Sequence, residues 1–423
     1  MQRLKRFTDQ RAFLRTLKAD IKANRFQPGI IRHFDWLLFL TIFALAMFGV
    51  VSIFAATASP TETQASGIGE LLSTHSTTYG RLQLLWFFVG CVAMCFVIFM
   101  DYHLYQKYAD LIYWMNVGIL LAVLGVEAGR GGMSAFFNWG SASSSVGQRG
   151  FQPSELGKFA IIIALARVFA NRKKPIRTMR ELLPVTLYVL IPLVLVVLQP
   201  DFGTALVYIA IFCILLWVSG TDLKLIAGVL AVALCLLVPL WYYMNASSTS
   251  FRLTRILMWL NPEDYPDDAR QVINGQIAIG TGGLTGKGIG APGAFASLGF
   301  IPDDHTDFCF AIVCETFGFA GALFVIACFA VILCRLLWHA YKLADKFGSY
   351  CIIGVLAMFI FHVVENICMI LGLLPVTGIP LPFVSYGGSN MLTNMLCVGL
   401  VMNIVMRAKA APRIGDTRRA RKL

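Results

Sequence analysis

Charge is scarce in this 423-residue chain, where 14% of residues are Asp, Glu, Lys or Arg and 57% are hydrophobic. That balance excludes the two or three water-soluble domains the length would otherwise suit. The eleven cysteines include no C-x-x-C pair and no metal-ligand spacing with histidine, so neither a disulfide framework nor a zinc module follows. They read as small buried hydrophobes within or beside apolar segments. The first apolar stretch lacks a small-residue cleavage site and is too long for a signal-peptide core, so it reads as a retained span. No internal repeat stands out, which weakens an inverted-repeat transporter. A phosphate-binding Walker loop is also missing, because Thr281 stands where its first Gly belongs and Gly288 where Ser or Thr should follow Lys287.

What the chain has is oil. Trp36–Ala56, Leu82–Met100, Leu182–Gln199 and Leu225–Met244 approach or exceed the roughly 20 apolar residues that cross a bilayer. The fold class is therefore an all-α polytopic membrane protein. Hydropathy and charge together predict about ten spans near 35–56, 82–100, 104–127, 153–170, 182–199, 201–219, 225–244, 307–335, 350–371 and 388–406. The formal charge of +12 is concentrated in four segments: an arm over 1–34, residues 172–180, residues 335–346 and a tail over 407–423. Assigning all four to the cytoplasm satisfies the positive-inside rule, with both termini inside and residues 35–406 as the membrane domain. The basic arm then suits acidic lipid headgroups, not nucleic acid. A large extracytoplasmic loop, 245–306, separates spans 7 and 8, and a Gly- and Ser-rich loop over 129–152 suits the membrane interface.

Five constellations could carry chemistry. Glu155 and Lys158 share a helix face at i, i+3 and read first as a structural ion pair, with a substrate-facing role as the alternative. Pro200 breaks one span and Asp201 suits the cap of the next. The glycine run 280–288, including Gly282 and Gly283, reads either as a flexible turn or as a loose anion site with Lys287 as its cation. His305–Thr306–Asp307–Phe308 meets an apolar segment carrying Glu315, so Asp307 is either a helix cap or a reactive carboxylate. Last, Pro375, Pro380 and Pro382 forbid a continuous helix through an apolar segment that ends at Ser385–Ser389. Such backbone is tolerated at membrane depth only inside protein or along a cavity, so a re-entrant element is expected. His362, Glu365 and Asn366 add polar groups to the ninth span.

These pieces in this order resemble the SEDS family (shape, elongation, division and sporulation proteins) over about residues 32–407. The most specific stretches are Gln152–Lys158, Pro200–Thr204, Ala278–Gly290, His305–Phe310 and Leu373–Ser389. Phe34-Asp35-Trp36 and the Leu-Leu-Pro-Val-Thr-Gly-Ile-Pro-Leu-Pro-Phe stretch look more like the elongation branch (RodA-like) than the division branch. The resemblance implies a ten-span bacterial inner-membrane enzyme that polymerises lipid II into glycan strands. It places the family's essential aspartate on Asp307 as general base. Substrate contacts are expected from Lys287, Arg252, Arg255, Lys158, Glu155, His305 and Ser385. Structural roles fall to Asp201, Glu315, Gly282, Gly283 and Pro382. The cations would stabilise the departing pyrophosphate; a divalent cation, Mg or Mn, is an alternative for that task, without a dedicated ligand set in the sequence. A class B penicillin-binding transpeptidase is the implied partner. Where the family commonly has paired glutamates this chain has Cys314–Glu315–Thr316, and Gln271–Gly275 and Ala291–Phe295 also depart from its pattern. A flippase for a lipid-linked sugar and a non-catalytic scaffold of the wall-synthesis complex are the competing readings.

Overall fold

Backbone in lipid must satisfy its own hydrogen bonds, and the apolar runs accordingly fold as helices. The structure, a computed structural model, describes residues 28–57, 78–128, 137–138, 150–199, 201–229, 231, 251–291, 293–295, 298–301 and 305–410. After a 3-10 turn, Pro28–His33, the helices are α1 (Trp36–Thr57), α2 (Thr78–Phe99), α3 (Tyr102–Lys107), α4 (Ala109–Ala128), α5 (Pro153–Ala170), α6 (Met179–Leu198) and α7 (Phe202–Val218). They continue as α8 (Phe251–Leu260), α9 (Pro266–Gly282), α10 (Cys309–Lys342), α11 (Lys346–Ile370) and α12 (Gly388–Ala410). Six of these, namely α1, α2, α6, α10, α11 and α12, are long and apolar enough to cross a membrane, and α4 and α7 contribute shorter apolar stretches.

Several expected boundaries change. The expected span 104–127 begins as the separate helix α3 and restarts after Tyr108 as α4. Residues 223–229 are helical, while most of the expected seventh span lies outside the described residues. The expected loop 245–306 contains the helices α8 and α9. In the 129–152 loop, β1 (Phe137–Asn138) pairs antiparallel with β2 (Gly150–Phe151) in the register Phe137↔Phe151.

Polarity decides which helices are central. The α12 helix carries Ser389, Asn390, Thr393, Asn394 and Asn403, all buried, and packs along α2 and against α5 and α11. Such residues are costly against lipid, so α12 is enclosed. By contrast α6 turns Leu183, Leu187, Leu190, Ile191 and Val194 outward. Interhelical hydrogen bonds tie the bundle: Asn403 Nδ2 donates to the Val97 carbonyl at 2.6 Å and also to that of Met100, and Gln199 Nε2 donates to the Leu120 carbonyl at 2.8 Å. Each is worth about 0.6–2 kcal/mol in a membrane. Among the described cysteines all are free; Cys309, Cys314, Cys328, Cys351 and Cys397 are buried as expected, whereas Cys95 and Cys334 are exposed on outer helix faces.

At one end of the bundle, Asp35 Oδ2 receives Arg335 Nη2 at 2.7 Å and Nε at 3.1 Å, with His339 Nε2 at 2.5 Å. Burial pushes the Asp35 pKa up, but the hydrogen bonds from His339, Arg335 and the Leu38 amide outweigh it and hold the carboxyl well below its usual range. This clasp joins the start of α1 to the far end of α10.

Candidate active site at the start of α10

Asp307 lies in the turn that leads into α10, with the N-cap position falling one residue later, on Phe308. The turn is held from α11: Asn366 Nδ2 donates to the Asp307 carbonyl and to the Ile379 carbonyl, both at 2.8 Å. One buried amide thus fastens the Asp307 turn to the proline-rich segment. At Gly378 the backbone takes φ +76°, and an added Cβ would lie 3.1 Å from Asp307 Oδ2 and 3.9 Å from Arg255 Nη1. The carboxylate and the guanidinium therefore converge over a glycine whose conformation a side chain would strain. Burial lowers the Arg255 pKa, and the charge of Asp307 opposes that shift. Arg255 Nη1 also donates to the Val376 carbonyl at 3.4 Å. Asp307 itself is half-buried.

The proline-rich segment forms the wall of this site. It runs without helix from Leu374 to Gly387, with Leu381, Phe383 and Val384 buried. Phe383 adopts φ 65°, unusual for a bulky residue and held there by the surrounding core. Ser385, an expected substrate contact, is buried: its Oγ accepts from the Leu381 amide at 3.0 Å, and its carbonyl accepts from Gln83 Nε2 at 3.0 Å. Pro382 opens the turn that Ser385 closes. His305 stacks on Tyr79 with ring centroids 4.3 Å apart, while its carbonyl accepts from the Tyr386 amide at 2.9 Å.

A second polar cluster lies inside the bundle. Lys158 is 1% exposed and Glu155 is 4% exposed, so neither ion could persist there alone. Lys158 Nζ donates to Glu155 Oε1 at 2.6 Å and to His362 Nε2 at 3.1 Å, and Asn390 Nδ2 donates to Glu155 Oε2 at 3.2 Å. An ammonium has only donors, so His362 Nε2 accepts and the ring proton sits on Nδ1, which has no hydrogen-bond partner among the described residues. Above this cluster Asp201 caps α7 through Thr204 N at 3.1 Å, and its Oδ2 accepts from Gln152 Nε2 and Ser154 Oγ, each at 2.6 Å.

The glycine run is a third unit. Gly282 ends α9, Gly283 follows at φ +58°, and the chain then crosses a kink in α10 at Gly318 (φ 66°, ψ −161°). Lys287 N donates to the Glu315 carbonyl at 2.9 Å, Gly288 N to the Thr316 carbonyl at 3.0 Å, and Phe319 N to the Gly283 carbonyl at 2.9 Å. Side chains at Gly286 or Gly318 would collide with the opposing backbone. The buried Glu315 carboxylate accepts from Lys287 Nζ at 2.7 Å and from the Phe295 amide at 2.8 Å. Three amides of this run are thus committed to protein carbonyls or, at Gly286, to the end of α9, and Lys287 is ion-paired.

The structure therefore brings Asp307 and Arg255 together, seats His305 beside them, and separates Lys287–Glu315 and Lys158–Glu155 into units of their own. Arg252 lies on α8 with its side chain outside the described residues. Sequence reading noted Glu365 and Asn366 only as polar groups and passed over Thr377 and Gln83. Glu365 is buried, accepts the Thr377 hydroxyl on one oxygen, and lies within reach of the charge of Asp307. Gln83 was detectable as an amide within an apolar span. Among the described residues no three His, Cys, Asp or Glu side chains are grouped to hold a metal ion.

Fold and site together define an all-α multi-pass membrane protein in which a non-helical, proline-rich segment meets an Asp–Arg pair. The chain belongs to the FtsW/RodA/SpoVE family of cell cycle proteins, whose family model matches residues 35–410. Among its relatives is a probable peptidoglycan glycosyltransferase FtsW of Trichlorobacter lovleyi, 32% identical over 92% of this chain and 97% of that protein. The peptidoglycan glycosyltransferase MrdB of Escherichia coli is 31% identical over 88% of this chain and 93% of its own. The stage V sporulation protein E of Bacillus subtilis is 30% identical over 88% and 96%. The fold matches the crystal structure of the rod shape determining protein RodA of Thermus thermophilus, with TM-score 0.61, 23% identity, and coverage of 89% of this chain and 97% of that one. It also matches a chain of a peptidoglycan synthase complex that coordinates polymerization and crosslinking, with TM-score 0.68, 24% identity, and coverage of 89% and 99%.

Proposed function

We propose that this chain is a peptidoglycan glycosyltransferase that polymerises lipid II, with Asp307 as general base. The observation that carries the reading is the convergence of Asp307 Oδ2 and the Arg255 guanidinium over Gly378. Asp307 removes the proton of the acceptor sugar hydroxyl as its oxygen attacks the anomeric carbon of the donor. The bond from that carbon to the lipid pyrophosphate breaks, and the electron pair leaves with the phosphate oxygen. Arg255 offers a fixed positive charge beside that developing anion. In this reading Lys287 and Glu315 form a clasp that holds α9 to the α10 kink, and Lys158–Glu155 holds α5 to α11 and α12. His305 packs with the Tyr79 and Tyr386 rings next to the Asp307 turn.

The finer assignments rest on sequence. Ten spans, both termini in the cytoplasm and loop 245–306 outside follow from hydropathy and basic-residue placement. An elongation role follows from the 373–383 stretch, against relatives whose names divide between FtsW, MrdB and sporulation proteins. A crosslinking transpeptidase is the partner that the synthase-complex fold match suggests.

The test is polymerisation of lipid II by the purified chain with its transpeptidase, wild type against Asp307→Asn. Loss of product with an unchanged melting profile is expected. Normal polymerisation by the variant sinks the assignment of the base, and a scaffold would tolerate the change.

A further inference from the structure

The face of the bundle opposite Asp307 holds a cavity that the reaction does not use. It has a volume of about 110 Å³ and lies where the end of α5, the turn before α6, the end of α7 and the start of α11 meet. From Tyr350 at its rim to Asn366 at the Asp307 turn is about 24 Å along α11, at ~1.5 Å per residue. The two sites thus stand near opposite borders of a hydrocarbon layer.

The lining is one-sided in charge. Arg172, Lys173, Lys174 and Lys346 surround the cavity, Tyr350 adds a phenol, and no acidic residue among those described lines it. The acids nearest in sequence are turned elsewhere. Glu181 accepts the Arg177 amide, Asp222 accepts the Lys224 amide, and Asp345 accepts the Gly348 amide. Arg172 Nη2 is held by the Glu181 carbonyl at 3.0 Å, which fixes its guanidinium without neutralising it. The other three cations, Lys173, Lys174 and Lys346, have no ion pair among the described residues. Four cations kept close without counter-charge repel one another unless an anion joins them. Within four residues of the lining in sequence, Met179, Trp217, Val218 and Leu223 are exposed apolar side chains.

We propose that this cavity binds the phosphate of an anionic membrane phospholipid, with the lysines on the phosphate oxygens and the acyl chains lying along Trp217, Val218 and Leu223. The chemistry recognised is a phosphate oxyanion; the apolar rim selects a lipid over free phosphate. The inference is independent of the chemistry assigned to Asp307.

The experiment uses the full chain in micelles carrying either phosphatidylglycerol or phosphatidylcholine, with bound lipid counted by native mass spectrometry. Wild type is expected to retain one phosphatidylglycerol molecule that it does not retain as phosphatidylcholine. The Lys173→Gln/Lys174→Gln/Lys346→Gln variant should lose that molecule, its apparent affinity falling at least ~10-fold. A matched melting temperature in phosphatidylcholine establishes that the variant is folded; should it not fold, Lys174→Gln and Lys346→Gln alone are expected to lower retention individually. Equal retention of phosphatidylglycerol by wild type and variants overturns the site. A second arm titrates inorganic phosphate against the melting temperature. A lysine-dependent rise matching that produced by phosphatidylglycerol overturns the lipid assignment.

Discussion

Glu155 and Asp307 are both carboxylates at the start of a helix in one membrane domain, yet their surroundings are opposite. Both oxygens of Glu155 are satisfied inside the protein, by Lys158 and Asn390, and the group is almost sealed from solvent. Asp307 is half-buried in a turn that is anchored through its carbonyl by Asn366, with its carboxylate facing Arg255 across Gly378. The first arrangement has no spare lone pair pointing at an open space, and so it serves cohesion. The second leaves an acid at an accessible border, where it can exchange a proton with a bound hydroxyl. Position at a helix start does not separate the two carboxylates; burial and access do.

The largest effect that could break this contrast is in activity. Asp307→Asn should lower lipid II polymerisation by at least ~10²-fold, the range of a lost general base, and leave the melting temperature of the purified chain unchanged. Lys158→Met should do the reverse in kind. It leaves Glu155 buried without its cation, a loss of about 3–5 kcal/mol, visible as lower yield and an earlier thermal transition. The double change Glu155→Leu/Lys158→Met should recover more than half of that loss, because a well-packed apolar pair removes the stranded charge. If the double variant is stable but inactive, the pair has a substrate role and the contrast collapses.

Glu315 stands between these cases and gives a smaller effect. Glu315→Ala frees Lys287 and strands the Phe295 amide, for a stability loss of about 1–3 kcal/mol. Lys287→Ala should cost at least as much, because it leaves the Glu315 carboxylate, 1% exposed, with the Phe295 amide but without its cation. The informative quantity is the ratio of activity loss to stability loss for Lys287→Ala. A clasp predicts that activity falls only as far as stability does; a fall in polymerisation beyond tenfold at unchanged melting temperature would make Lys287 a pyrophosphate ligand.

The parts of this molecule that can be read from sequence are the local ones. Apolar runs place α1 and α2 within a few residues, the i, i+3 spacing brings Glu155 to Lys158, and Asp201 caps the start of α7. What sequence spacing does not contain is the meeting of distant segments. Asn366 reaches Asp307 across 59 residues, and Gln83 reaches Ser385 across 302. The glycine run illustrates the limit well. Exposed amides in a glycine run suit an anion in isolation, but here those of Lys287 and Gly288 are used by the Glu315 and Thr316 carbonyls beside the Gly318 kink of α10, and that of Gly286 by the end of α9. A kink inside an apolar helix has no periodicity signal of its own, so the competing partner for those amides stays hidden until the fold is known.

The smallest effect tests whether access alone weakens an acid pair that has nothing to do with catalysis. Asp101 caps α3 and holds His103 Nδ1 at 2.8 Å, with Arg407 Nη1 at 3.3 Å. The Asp101 hydrogen bond, opposed by burial, raises the His103 pKa, whereas Asp101 is lowered because the His103 bonds and Arg407 outweigh its own burial. The His103 contribution is therefore complete below the unfolded histidine value of about 6.5 and is lost as pH rises through the folded value. The Asp101 contribution has the opposite sense: present above about 3.9 and lost only as pH falls through its folded value. Both hold near pH 5–6, so raising the pH to 8 should remove only the histidine part. With 59% of the His103 side chain exposed, that part is a few tenths of a kcal/mol. Comparison of wild type with His103→Asn isolates it from the other histidines: the melting temperatures should differ slightly at pH 5.5 and converge at pH 8. A difference that grows with pH would mean that the neutral imidazole, not the ion pair, is what α3 uses.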